Sequence, residues 1–339
     1  NSGSMGGSRL TALKTAANNL VTILFNGEEV SENVKVGLVP FVGGVNLNVP
    51  HDTTAWLDFG NPAPLNSQYF SDLEPTESTF TVLSEMSGGI ASRWGGCVRS
   101  RYSPSNADLD ITDAPPDPNE RATLFSAYFK PYLPGSLPHS KTLYAGQSSN
   151  SQNANCPQGP IQPLTNVRST ITSAINAMTA GGNTNIPHGL VWGWRLISPG
   201  EPFADDPTAT DIADRILPYS DPRSIKALIV LTDGENNGGD FSSYGIPGAS
   251  NPQIGGNHTS ALNARLAALC ENIKQNHDDN PDDRDIDLYA ITFGISGSVA
   301  TMMENCAHPG NFYDSPTESD LQSAFTAIAT GLNLLRIAE

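Results

Sequence analysis

Five apolar residues in a row, Ala227 to Leu231, run directly into Thr232, Asp233 and Gly234. A strand on a half-wetted sheet alternates apolar with polar residues, so a short unbroken run reads as a parallel strand buried on both faces. Burial on both faces requires helices above and below the sheet, and the rest of the chain must supply them.

The flanking sequence does so. Leu10, Leu13, Ala17, Leu20 and Leu24 mark one face of a helix, and residues 34–42 read as a strand with Pro40 near its end. Val167, Ile171, Ile175 and Met178 mark a second helix, for which Thr165 is the expected cap. Leu262, Leu266, Leu269 and Ile273 give another, and residues 288–295 another buried strand. The last helix opens on Thr317, Glu318, Ser319 and Asp320, spaced as a capping box, and runs through Leu321, Phe325, Ile328, Leu332 and Leu335. Strands alternating with helices of this length predict an α/β fold with a doubly wound, mostly parallel sheet.

Residues 43–165 break that rhythm. They hold 14 of the 26 prolines, with Pro115, Pro116 and Pro118 close together, but also 12 of the 25 aromatic residues. Disordered linkers are poor in aromatics. With Trp56, Trp94 and the cluster from Phe125 to Tyr132 among those aromatics, the stretch is therefore expected to be an ordered insertion. The expected organisation is an α/β domain from residues 1–42 and 166–339, interrupted by residues 43–165.

Charge removes several functions. The chain has 339 residues, with 35 Asp and Glu against 18 Lys and Arg, for a net charge of −17. Nucleic-acid binding needs clustered Lys and Arg to release counterions from phosphate, and anionic membranes need a basic patch. With 38% hydrophobic and 16% charged residues the chain is neither a disordered polyampholyte nor a membrane bundle. Asn1 opens the sequence without an initiator Met or a signal peptide, which reads as a window cut from a longer chain.

Cys97, Cys156, Cys270 and Cys306 form no Cys-x-x-Cys pair, and none has a His at zinc-finger spacing. They are either four buried thiols or two disulfides, and the latter implies an oxidising compartment. Three pairings are open to four cysteines; the preferred one joins 97 to 156 and 270 to 306.

Three loops carry the candidate chemistry. Ser2 and Ser4 precede the first helix, Gly181 to Asn185 surround Thr184, and Asp233 ends the buried strand. In an open α/β sheet ligands collect beyond the carboxyl ends of the strands. Three hydroxyls and a carboxylate there make an all-oxygen site, suited to a hard divalent cation such as Mg²⁺. The plain alternatives are cap or turn residues. Glu235 reads as solvated. Asp283, Asp285 and Asp287 resemble a calcium loop in spacing, but the sixth and twelfth positions counted from Asp283 are Leu288 and Gly294 rather than Gly and Glu. Trp192 and Trp194 lie two apart and cannot share a helix face, so one is expected in the core and the other against the insertion. The six histidines are scattered and receive no role. No nucleophile elbow, P-loop or His-Glu-x-x-His occurs; centred on Ser4, the elbow has Ser2 where Gly is required.

Together the three loops resemble the metal-ion-dependent adhesion site of von Willebrand factor type A domains, whose first loop reads Asp-x-Ser-x-Ser. Asn1 would take the first variable position, Ser2 and Ser4 the serines, Thr184 the second-loop Thr and Asp233 the third-loop Asp. The leading Asp, and the central strand before it, would lie upstream of Asn1. A narrower similarity is to TadG-like proteins of the Tad/Flp pilus-assembly system. It rests on the segments Gly182 to Leu196 and Lys226 to Asn237, on Trp94 to Cys97, on Cys156-Pro157, on the Cys270/Cys306 spacing and on Asn333 to Ile337. The resemblance implies adhesion rather than catalysis. Ser2 and Ser4 would bind Mg²⁺ (or Mn²⁺ or Ca²⁺) directly, Thr184 directly or through water, and Asp233 largely through water. A partner's acidic residue, from a pilus or envelope component, would fill the last position. It also implies an upstream membrane helix and a place outside the cytoplasm, at a bacterial inner membrane facing the periplasm or cell surface. Two other readings are a structural scaffold with a vestigial site and, behind it, a metal-assisted hydrolase.

Overall fold

A computed structural model describes residues 2–47, 56–58, 94–101, 108–127, 155–203, 216–238, 243–244, 259–275 and 285–337. In chain order the elements are helix α1 (Ser8–Leu24), strands β1 (Val36–Leu38), β2 (Val45–Asn46), β3 (Leu57–Asp58), β4 (Cys97–Val98), β5 (Phe125–Ser126) and β6 (Gln162–Thr165), then α2 (Arg168–Ala177), α3 (Ile186–Ile197), β7 (Ala227–Thr232), α4 (Thr259–Lys274), β8 (Asp287–Phe293), α5 (Ser298–Cys306), β9 (Phe312–Ser315) and α6 (Glu318–Ile337).

The fold is mixed α/β around a three-stranded parallel sheet in the order β7-β8-β9. Its pleat divides the core. Leu228, Val230, Leu288 and Ala290 share one apolar cluster with residues of α3, α4 and α5, while Tyr289, Ile291 and Phe293 share another with α1, α2 and α6. Helices therefore cover both faces, as the apolar run in β7 demands. The remaining described strands form separate pairs: β1-β6 and β2-β4 antiparallel, β3-β5 parallel.

β7 is an edge strand of this sheet. Leu228, Val230 and Thr232 are buried, but Ala227, Ile229 and Leu231 are only half-buried. The reason is a cavity of about 1030 Å³ whose walls include Ile229 and Leu231 of β7, Val36 and Leu38 of β1, and Leu20 and Val21 of α1. This space beside an edge strand is partly open, has mixed apolar and polar walls, and is far larger than the voids of a packed interior.

Several local readings need correction. The strand expected over 34–42 is confined to Val36–Leu38 and pairs antiparallel with Gln162–Thr165. Thr165 thus ends a strand rather than capping α2; its hydroxyl accepts from Val167 N at 3.1 Å. The cap of α3 is Asn185, not Thr184, and its side chain accepts from His188 N. The capping box at α6 forms as expected: Thr317 Oγ1 accepts from Asp320 N at 3.2 Å and Asp320 Oδ2 accepts from Thr317 N at 3.1 Å. Helix α5 and strand β9 were not anticipated, although Val299, Met302, Met303 and Cys306 carry a helical repeat.

The described parts of residues 43–165 pack on α3. Val45, Val98, Ile111, Phe125 and Ile161 belong to the same cluster as Trp192 and Trp194. Ten of the twelve residues of α3 are buried, as expected of a helix enclosed on every side. Both tryptophans are core residues: the Trp192 ring lies 4.7 Å from that of Phe125, and Trp194 Nε1 donates to Tyr219 Oη at 2.9 Å. Tyr128 to Tyr132 and Asp283 lie outside the described residues. Disulfides join Cys97 to Cys156 and Cys270 to Cys306, with Cα separations of 5.8 and 5.0 Å; the second ties α4 to α5. Two such bonds point to an oxidising compartment. No described helix is long and apolar enough to cross a membrane.

Candidate functional site

The three loops singled out in the sequence meet at the carboxyl end of β7. Ser2 precedes and Ser4 lies within a 3₁₀ turn (Gly3–Met5) ahead of α1, and Asp233 directly follows Thr232, the last residue of β7. Backbone hydrogen bonds lock the loops together. Gly3 N donates to Gly182 O at 3.0 Å, and Thr184 and Asn237 exchange bonds of 2.9 and 2.8 Å. Asn236, fully buried, accepts from Ile186 N at 2.9 Å and so fixes the start of α3 against the third loop. Gly182 has φ of +68°, and a β-carbon there would lie 3.0 Å from Asn155 Oδ1 and 3.1 Å from Val42, so only glycine suits the close approach.

Within this frame the side chains converge. Ser2 Oγ and Ser4 Oγ are 2.9 Å apart; Ser4 Oγ donates to Asp233 Oδ1 at 2.6 Å and Ser2 Oγ lies 3.3 Å from the same oxygen. Thr184, Ser2 and Asp233 are among the residues that line the large cavity beside β7, and all three are nearly buried, at 6%, 5% and 3% exposure; the side-chain contacts of the cluster join Ser2, Ser4 and Asp233. Asn1 lies outside the described residues. Glu235 is exposed, as expected.

A carboxylate as buried as Asp233 requires compensation. Part of it comes from a residue that the sequence reading passed over: Arg9 Nη1 donates to Asp233 Oδ2 at 3.2 Å. A signal for it was present, because a cation in the first turn of a helix opposes the helix dipole unless an anion accompanies it. Asn236 left no such signal.

The donor set fits a hard cation. Neighbouring ligands of an octahedral Mg²⁺ at ~2.0–2.1 Å stand roughly 3 Å apart, close to the spacing of Ser2 Oγ, Ser4 Oγ and Asp233 Oδ1. Among the described residues no three His, Cys, Asp or Glu side chains cluster as a metal site; the oxygens come from hydroxyls around one carboxylate.

These features define a disulfide-linked α/β protein with a hydroxyl–carboxylate cluster at the end of a parallel strand. No protein-family model and no curated protein sequence matches the chain. Among solved structures it is similar to the pilus adhesin SpaC from Lactobacillus rhamnosus GG, at 13% identity and a TM-score of 0.40 over 97% of this chain. The chain spans 29% of that adhesin's length. A likeness of this degree carries neither family nor activity.

Proposed function

We propose that this chain is a divalent-cation-dependent protein-binding module of von Willebrand type A character, related to the TadG-like pilus-assembly proteins, and not an enzyme. The observation that carries the proposal is the triangle of Ser2 Oγ, Ser4 Oγ and Asp233 Oδ1 at the end of β7. Ser2, Ser4 and Thr184 would hold Mg²⁺, Mn²⁺ or Ca²⁺ through hydroxyls, with Asp233 behind them. When bound, the cation supplies a charge left electron-poor by neutral donors, which favours an incoming carboxylate from the partner. Helix α1 aims its positive end toward the same point. A partner with an exposed acidic residue, from a pilus or the envelope, fits this chemistry; nucleic acid does not fit a net charge of −17.

In the same reading the sheet is doubly wound. The cavity beside β7 would take a further extended apolar strand. The disulfides support a location outside the cytoplasm. The scaffold reading has one observation in its favour, since Arg9 already pairs with Asp233.

Thermal melting with millimolar Mg²⁺ and then with EDTA tests the proposal. A cation bound by the folded state alone stabilises it by about 2.7 kcal/mol at a hundred times Kd. The melting temperature should rise by several degrees in Mg²⁺, and the rise should vanish in Ser4→Ala. No shift would sink the metal-dependent reading and favour the scaffold.

A further inference from the structure

We propose that Arg9 is a built-in counter-cation that neutralises Asp233 when no divalent ion is bound and keeps the affinity of the site for such an ion low. The inference rests on the metal-binding reading and concerns how that site is regulated.

Three observations carry it. First, the two oxygens of Asp233 face different partners: Oδ1 meets the hydroxyls of Ser2 and Ser4, while Oδ2 meets Arg9 Nη1 at 3.2 Å. The guanidinium therefore pairs with the carboxylate without occupying the hydroxyl face. Second, the guanidinium has a shaped berth between the ends of β7 and β8. It stands 6.0 Å over the Phe293 ring, and a β-carbon on Gly294 would come within 3.2 Å of its Nη2. Gly294 has φ of +66°, a conformation that favours glycine at this end of the berth. Third, Asp233 has a side chain only 1% exposed, whereas that of Arg9 is 40% exposed. The buried anion needs the cation more than the cation needs the anion.

The electrostatic consequence has a definite sign. Without an ion, Arg9 and Asp233 cancel. With a divalent ion beside Oδ1, Arg9 becomes a like charge a few ångströms away and opposes binding. A partner's carboxylate relieves that repulsion, so ion and partner should bind with mutual reinforcement, which is reciprocal by linkage. Arg9 thus weakens binding of the ion alone and strengthens its coupling to the partner.

The test titrates the full chain with MgCl₂ by calorimetry and melts it in EDTA, for the unaltered protein, Arg9→Gln, Arg9→Lys and Ser4→Ala. Arg9→Gln should bind Mg²⁺ roughly tenfold more tightly, as removal of a nearby like charge predicts, and should melt lower in EDTA because Asp233 loses its partner. Saturating Mg²⁺ should close that melting gap. Arg9→Lys keeps the charge and should behave as the unaltered protein. Unchanged or weaker binding in Arg9→Gln overturns the inference, as does equal perturbation in Arg9→Lys, which would make the role one of shape. Ser4→Ala separates the two levels: if the unaltered protein binds and Ser4→Ala does not, the metal site stands whatever Arg9 does. If no protein binds Mg²⁺, both readings fall.

Discussion

His188 shows how a side chain can be legible in sequence while its role is not. It occupies the first turn of α3, completely buried, with Nδ1 3.0 Å from Ser100 Oγ and its ring 6.4 Å from those of Trp192 and Tyr244. Burial, reinforced by the charge of Arg195, pushes its pKa down to about 3. An unfolded chain protonates a histidine near pH 6.5. Because the folded pKa is depressed, the stability this group contributes is present above about pH 6.5 and is lost as pH falls toward 3. The loss between pH 7 and pH 5 is about 2 kcal/mol. Urea unfolding at the two pH values should show it, and His188→Gln should remove that much of the difference. An undiminished pH dependence in the variant would mean that other groups cause it. Nothing in the spacing of six scattered histidines distinguishes this one; it is buried because the fold brings Ser100 and Tyr244 against it on α3.

At the level of elements, most helices were readable because their apolar residues repeat at 3.6 and their caps are chemically explicit, as at Thr317 and Asp320. The short strands were not. β1 has three residues and β9 four, too few for a period to show, and β6 was hidden in a Pro-rich stretch. β7 was readable as a buried parallel strand, yet its position at the edge of the described sheet was not, since the sequence of a strand does not name its neighbours. If the cavity beside β7 takes an extended strand, Ile229→Arg should cost at least about 3 kcal/mol, as for an unpaired buried charge, measured by urea unfolding. If the cavity is open to water, the arginine reaches solvent and the cost stays within about 0.5 kcal/mol, as for a surface change.

For the molecule as a whole, the described parts of residues 43–165 help to build the core around α3. Phe125, Val98 and Ile111 lie in one core with α3, and Arg195 from α3 donates to Leu109 O at 3.1 Å and to Thr112 O at 3.1 and 3.0 Å. Asp110 accepts from Tyr244 at 3.0 Å and from Arg265 Nε on α4 at 2.9 Å. Burial raises the Asp110 pKa, and the Arg265 pairing opposes that rise. Removing residues 50–160 would expose Trp192, strand the buried Arg195 and delete Cys97 and Cys156. Such a chain should lose cooperative melting and its near-ultraviolet dichroism. A sharp transition in the shortened protein would show that the α/β part folds by itself.

Read alone, the sequence was enough for local matters: four of the helices, the presence of helices on both sides of β7, and the loops that bring Ser2, Ser4 and Asp233 to the strand end. These depend on periodicity, caps and composition within a few residues. The tertiary structure alone decided that β1 pairs with β6 rather than with β7, that the insertion closes over α3, and that Arg9 meets Asp233 across 224 residues. Those outcomes depend on which surfaces exclude water together, and no local pattern encodes a contact between segments that far apart.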